Sequence, residues 1–311
     1  MPVIDVRDLR KDYGAVRAVD GLSFHVEAGE VYALLGENGA GKSTAVEILE
    51  GHRSATSGSV EVLGVDPARA GREFRDRIGV VLQSSGVEAE FTVREVITLY
   101  GGCYRSPRPV DEVVGLVGLE EKVDERVGAL SGGQRRRVDL ALGIVGRPEV
   151  LFLDEPTTGF DPSARRQSWD LIEALGADGT TVLLTTHYLD EAEHLASRVG
   201  VLSRGKMIAE GTPEDLINRV SGTVVSFTLP DSVITIDAAA MFASIIGAEV
   251  RVSGRFVEAN VDHPTEAVHR LTGWAIDARV ELDSLSVGRA SLEEVYLSLA
   301  DSDRDDEEPT A

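Results

Sequence analysis

The N-terminal stretch alternates apolar and polar positions with the period of strands and then changes to the period of a helix. Val3-Ile4-Asp5-Val6, Val19 to Val26 and Val31-Tyr32-Ala33-Leu34-Leu35 read as strands. Glycine-rich residues 36–41 follow the third of these. Ala45, Val46, Ile48 and Leu49 then recur at helical spacing until Gly51 ends the run. Residues from about 90 to 145 read as mostly helical, with Thr92 as an N-cap. Val150–Leu153 and Thr181–Leu184 return to strand character without polar alternation, which suits parallel strands covered on both faces. The pattern predicts an α/β core with a helical insertion.

After Gly211-Thr212-Pro213 a helix is expected roughly to Val220, and Ser221-Gly222 marks a boundary. Beyond it the pattern gives strand Thr223–Leu229, helix Ala238–Ile246, strands Ala248–Ser253 and Phe256–Val261, and helix Thr265–Thr272. A strand Ala278–Val287 and a short helix Leu292–Leu299 close a small α+β unit of ordinary domain size. Asp301–Ala311, acidic and carrying a proline, reads as a solvated, disordered tail.

Composition narrows the function. The chain of 311 residues has room for one large domain and a smaller one, and 42% hydrophobic residues allow a packed core. No apolar run approaches the ~18 residues that span a bilayer, so a membrane role is expected to run through another protein. The N-terminus lacks a basic region followed by an apolar one, so no signal peptide is expected. The single cysteine, Cys103, cannot form an internal disulfide, which fits a reducing cytosol. A net charge of −22 argues against nucleic acid and anionic lipid as partners. Lysine is confined to Lys11, Lys42, Lys122 and Lys206. Such an acidic, lysine-poor surface suits a salty cytosol, although codon bias alone would also give the arginine excess.

Three motifs carry chemistry. Gly36-Glu37-Asn38-Gly39-Ala40-Gly41-Lys42-Ser43-Thr44 matches the phosphate-cradling loop G-x-x-x-x-G-K-[ST], between a strand and a helix as the motif requires. Its glycines let backbone N–H groups turn toward phosphates, and the helix start adds positive potential. Lys42 is expected to reach the β- and γ-phosphates of ATP, and Ser43 to offer its hydroxyl to Mg²⁺. Val150-Leu151-Phe152-Leu153-Asp154-Glu155 is an apolar strand ending in two carboxylates. Strand alternation would send them to opposite sides, with Asp154 in the magnesium shell and Glu155 as the general base. Leu130-Ser131-Gly132-Gly133-Gln134 supplies a second anion-binding helix start. One ATP needs one cradle, so the second is expected to serve the nucleotide of another subunit.

The order of these motifs resembles the ABC ATPases over residues 1 to about 220. The resemblance implies a P-loop NTPase (RecA-like) core at 1–220 with a helical subdomain at about 88–148, an accessory α+β domain at 221–300, and the tail at 301–311. By the same resemblance, Tyr13 stacks on adenine and His187 contacts the γ-phosphate. Gln83, after Val80-Val81-Leu82, senses the γ-phosphate, touches the metal and meets the membrane partner. Gly159-Phe160-Asp161-Pro162 takes the place of the loop that communicates between two sites, with Phe160 where the family usually has leucine. The remaining histidines, His25, His52, His194, His263 and His269, match no motif and are expected at the surface. Trp169 and Trp274 are expected to pack rather than bind.

Thr185-Thr186-His187-Tyr188-Leu189-Asp190-Glu191-Ala192-Glu193 and Ser291-Leu292-Glu293-Glu294-Val295-Tyr296-Leu297 resemble the ABC-2 class, in particular the daunorubicin-resistance-type ATPases. That likeness implies an ATP-hydrolysing subunit with no membrane insertion of its own, peripheral on the cytoplasmic face. It would form a head-to-tail homodimer around two Mg-ATP and drive a separately encoded permease that exports drugs, lipids or polysaccharides. The alternative is a soluble ABC ATPase acting on ribosomes or DNA. Those usually carry two cassettes or a long coiled coil, and this chain has neither.

Overall fold

The computed structural model describes residues 2–82, 86–219, 223–230, 238–289, 291–293 and 295–296. The expected domain boundary at 220/221 and the acidic tail 301–311 lie outside these residues. The chain divides into two compact units, Met1–Pro213 and Glu214–Ala311.

The first unit begins with β1 (Ile4–Tyr13), β2 (Val16–Val26) and β3 (Val31–Leu35), then helix α1 (Lys42–Leu49) and β4 (Ser57–Val62). Strand β1 runs seven residues past the expected Val6: its charged positions stay half-buried or exposed while Ile4, Val6 and Leu9 are buried. Helix α2 (Arg72–Arg75) and β5 (Ile78–Val81) lead to three helices: α3 (Val93–Gly101), α4 (Val110–Leu116) and α5 (Gly132–Ile144). Thr92 closes a capping box with Glu95 at the start of α3, as its position predicts. The unit continues through β6 (Val150–Asp154), α6 (Pro162–Ala177), β7 (Thr181–Thr186), α7 (Leu189–Leu195), β8 (Arg198–Ser203) and β9 (Lys206–Gly211).

Strands β1, β2 and β4 form an antiparallel sheet in the order β2-β1-β4. The larger sheet runs β5-β6-β7-β3-β8-β9, parallel except for the last pair. Its central strands are buried on both faces: all five residues of β3, the first four of β6 and all six of β7 are buried. This is the sandwiching expected of a parallel sheet. Register aligns Leu34 with Thr185, and Thr185 with Asp154, so β3, β6 and β7 end at one level. The carboxyl ends of a parallel sheet are where such folds bind ligands.

The second unit comprises α8 (Pro213–Arg219, straddling the division), β10 (Thr223–Thr228), α9 (Ala238–Ile246), β11 (Val250–Ser253), β12 (Phe256–Val261), α10 (Pro264–Ala278) and β13 (Asp283–Arg289). Its antiparallel sheet, β11-β12-β10-β13, buries Val225, Phe227 and Val257 in a core with Phe242 and Leu271 of the two helices. Helix α10 overruns the expected Thr272 and takes the start of the expected strand Ala278–Val287. Leu271 and Ala275, one turn apart, are both buried, and packing carries the helix through Gly273 until Arg279 turns left-handed at φ 57°. Trp274 packs edge-on against Phe242. Among the described residues no helix is long and apolar enough to cross a membrane.

Candidate functional site

The loop after β3 is held tight against the sheet. A Cβ on Gly36 would lie 2.4 Å from the Leu202 carbonyl oxygen, so only glycine fits. Gly41, at φ 100°, caps α1 in a conformation other residues avoid, and a Cβ there would meet the Ala18 carbonyl at 2.3 Å. Asn38 and Gly39 are exposed at the loop's rim, Ser43 is exposed, and Thr44 is half-buried. Lys42 opens α1 with its side chain 4% exposed, and Nζ donates to the carbonyls of Gly36 at 2.6 Å and Glu37 at 3.1 Å. Burial lowers the ammonium's pKa, while the charges of Glu155 and Asp154 work in the opposite direction.

Strand β7 separates β6 from β3, and Thr185 spans the gap. Its Oγ1 donates to Asp154 Oδ1 at 2.5 Å and accepts from the Glu155 N–H at 3.1 Å. The Ser43 hydroxyl donates to the same Asp154 oxygen at 3.2 Å. The two carboxylates do not diverge as strand alternation predicts. The strand ends at Asp154, and Glu155 turns left-handed at φ 47°, which brings its side chain to the same loop mouth. Glu155 Oε1 lies 3.9 Å from Lys42 Nζ, and Oε2 accepts from Thr158 Oγ1 at 3.0 Å. His187 Nδ1 lies 3.2 Å from Glu155 Oε1, and this buried nitrogen makes no hydrogen bond among the described residues. The ring rests against Tyr188, centroids 4.1 Å apart.

Lys42, Ser43, Asp154, Glu155 and His187 are therefore brought together. Tyr13 ends β1 half-exposed, with Lys11 Nζ 5.1 Å and the Arg53 guanidinium 5.6 Å from its ring centre. Ser131–Gln134 belong to a different element, the start of α5. Among the described residues no hydrogen bond or ion pair joins them to residues 36–44. Ser131 caps α5, its Oγ accepting from the Gln134 N–H at 3.3 Å while Gln134 Oε1 accepts from the Ser131 N–H at 3.0 Å. Asp161 caps α6, accepting from the N–H groups of Ser163 and Ala164. Gln83 lies outside the described residues. His25, His52, His194, His263 and His269 are exposed, His194 against the Trp169 ring.

Three residues of this neighbourhood escape a motif-based reading. Arg136 is buried on α5, Glu191 is buried on α7, and Glu50 is buried at the end of α1. A positional signal existed for two of them: Arg136 precedes the buried Leu140 by four residues, and Glu191 precedes the buried Leu195 by four, so both lie on apolar faces. The site joins a glycine-rich loop, one buried cation, a hydroxyl beside a carboxylate, and a second carboxylate beside an imidazole. Such a set suits binding a nucleoside triphosphate and directing water at it.

Comparison with known proteins agrees with this chemistry. Residues 19–158 match the ABC transporter family, and residues 223–291 match the C-terminal domain of ABC transporter domain-containing protein-like chains. The daunorubicin resistance ATP-binding protein DrrA3 of Streptomyces coeruleorubidus is 37% identical over 306 residues, covering 97% of this chain and 96% of its own. A Nod factor export ATP-binding protein I of Burkholderia pseudomallei is 41% identical over 302 residues, covering 95% and 96%. Among solved structures, an ATP-binding subunit of an ABC transporter superposes with TM-score 0.64 at 26% identity, over 70% of this chain and 92% of that one. An ATP-binding cassette in its ADP conformation gives TM-score 0.63 at 27% identity, over 71% and 94%.

Proposed function

The chain belongs to the ABC transporter family of ATP-binding proteins, and from that premise we propose that it is the ATP-hydrolysing subunit of an exporter whose membrane-spanning part is a separate polypeptide. One observation supports the site assignment above all: Glu155 Oε1 stands within 3.9 Å of Lys42 Nζ and 3.2 Å of His187 Nδ1, at the mouth of the phosphate loop.

In this reading Lys42 exchanges its bonds to the Gly36 and Glu37 carbonyls for bonds to the β- and γ-phosphates. The N–H groups of Gly39, Gly41, Lys42, Ser43 and Thr44 cradle the same phosphates, with Gly36 and Asn38 shaping the loop. Tyr13 offers its half-exposed ring to adenine. The Glu155 carboxylate accepts a proton from the attacking water, and the left-handed turn aims it there. His187 supplies a hydrogen bond to the γ-phosphate. Ser43 and Asp154 fit a magnesium ion, because a hydroxyl and a carboxylate 3.2 Å apart are hard oxygen donors. Bound there, with Gln83 as a further donor, it would neutralise charge on the phosphates.

The Ser131–Gln134 helix start is a second place where N–H groups await an anion, and among the described residues no hydrogen bond or ion pair joins it to residues 36–44, which accords with assigning it to the nucleotide of a second copy in a head-to-tail dimer. Export rests on what the relatives are named for, daunorubicin resistance and Nod factor export, and on a match that runs through the second unit. Action on the cytoplasmic face through a permease accords with the lack of any described helix able to cross a membrane. Phosphate release from ATP by the purified chain tests the proposal. It should require Mg²⁺ and fall roughly 10²-fold or more in Lys42→Ala. Release unaffected by that change would overturn the site.

A further inference from the structure

Helix α5, which starts at the Ser131 loop, carries a charge on its buried face. Arg136, Leu140 and Gly143 are all buried there at helical spacing. A buried guanidinium persists only where its donors are met. Arg136 spends them on main-chain carbonyls: Nε donates to Pro156 O at 3.1 Å, and Nη2 to Asp154 O at 3.1 Å and Glu155 O at 3.3 Å. Nη1 donates to the carbonyl of Leu82, the residue before Gln83, and lies 3.6 Å from Asp139 Oδ2. One side chain thus gathers three consecutive carbonyls at the end of β6 and one at the end of β5.

The gathered backbone is a strained one. A non-glycine residue at φ 47° is uncommon and persists only when its surroundings over-determine it. Glu191 holds the next residues from the α7 side. Its fully buried Oε1 accepts from Thr157 Oγ1 at 2.7 Å and from Trp169 Nε1 of α6 at 3.2 Å. The catalytic turn is therefore pinned between α5 on one side and the α6–α7 pair on the other.

We propose that Arg136 is a positioning residue for hydrolysis: it holds Glu155 in its left-handed turn and ties that turn, together with Leu82, to the helix that begins at Ser131. The inference rests on Glu155 being the general base. Ser131 and Arg136 are five residues apart, about 7.5 Å along the helix axis. Movement of the α5 start on engaging a second subunit's nucleotide would reach the Glu155 turn through this side chain. Lysine cannot replace it, because an ammonium is a point donor and the four carbonyls need a planar fork.

The test uses the full chain with Arg136→Lys and Arg136→Gln. Binding of mant-ATP gives Kd, phosphate release at saturating Mg-ATP gives kcat, and thermal melting reports folding. We expect kcat to fall 10- to 100-fold in both variants, with Kd within threefold of the parent and cooperative melting kept. Placed in a Glu155→Gln background, Arg136→Lys should cost less than a further threefold, because residues acting through one group are not additive. Parental kcat, joint loss of kcat and Kd, loss of cooperative melting in both variants, or full additivity with Glu155→Gln would each overturn the role. The assignment of the base fails separately, if Glu155→Gln alone turns over normally.

Discussion

Oε1 of Glu155 lies 3.2 Å from Nδ1 of His187, and that nitrogen, though buried, makes no hydrogen bond among the described residues. The two groups come from the ends of different strands, β6 and β7, and meet because Glu155 leaves its strand in a left-handed turn. A carboxylate beside a basic nitrogen and a buried ammonium is placed to receive a proton from water. Glu155→Gln keeps the shape and loses the base. Turnover should fall ~10²–10⁴-fold while ATP still binds, and a dimer should accumulate on ATP in gel filtration. Turnover near the parental rate would remove Glu155 from that role.

Glu50, at the end of α1, predicts a pH dependence of stability. Burial, then the charges of Asp154 and Glu47, push its pKa up to about 8, and His52 Nδ1 lies 3.1 Å from Oε2. In the unfolded chain a glutamate titrates near about 4.3. Between these values the folded protein keeps a proton that the unfolded chain has lost. Stability therefore falls as pH rises across that window. Glu50→Gln removes the penalty, so its gain in melting temperature over the parent should be larger at pH 8 than at pH 5.5. Equal gains at both values would contradict the assignment.

The acidic composition predicts a response to salt. With a net charge of −22, self-repulsion should destabilise the fold when screening is weak. The screening length shrinks from ~30 Å at 0.01 M to ~3 Å at 1 M salt. The melting temperature should climb with KCl over that range. A flat or falling curve would leave codon bias as the account of the arginine-rich, lysine-poor sequence.

What the sequence disclosed and what it hid divide along physical lines. The loop 36–44, the strands β3, β6 and β7, and the cap at Thr92 depend on local chemistry, and all were readable. Helix α9 occupies the residues expected, Ala238–Ile246, and buries Ala238, Phe242 and Ile246 at helical spacing. The errors arose where tertiary contacts overrule local pattern. Alternation predicts diverging carboxylates at 154 and 155, but a left-handed turn pinned by Arg136 and Thr185 defeats it. The extension of α10 through Gly273 needed the partner surface around Phe242. Helical spacing sets Arg136 and Glu191 on apolar faces, but the carbonyls and hydroxyls they serve come beside them only through β6 and its following loop.

The shared site is the central claim, and mixing two inactive variants tests it most directly. Lys42→Ala breaks the cradle. Gly133→Asp adds bulk and negative charge to the loop at the start of α5, where a Cβ would already meet Ala164 at 3.5 Å. If each ATP lies between the cradle of one chain and the Ser131 loop of another, each pure variant builds only defective sites. A mixed dimer collects both defects in one site and leaves the other whole. Mixing should therefore restore ATPase activity, and cysteines placed at Ser43 and Ser131 should cross-link between chains when ATP is added. No recovery at any mixing ratio, together with no ATP-dependent cross-link, would contradict a site built by two chains.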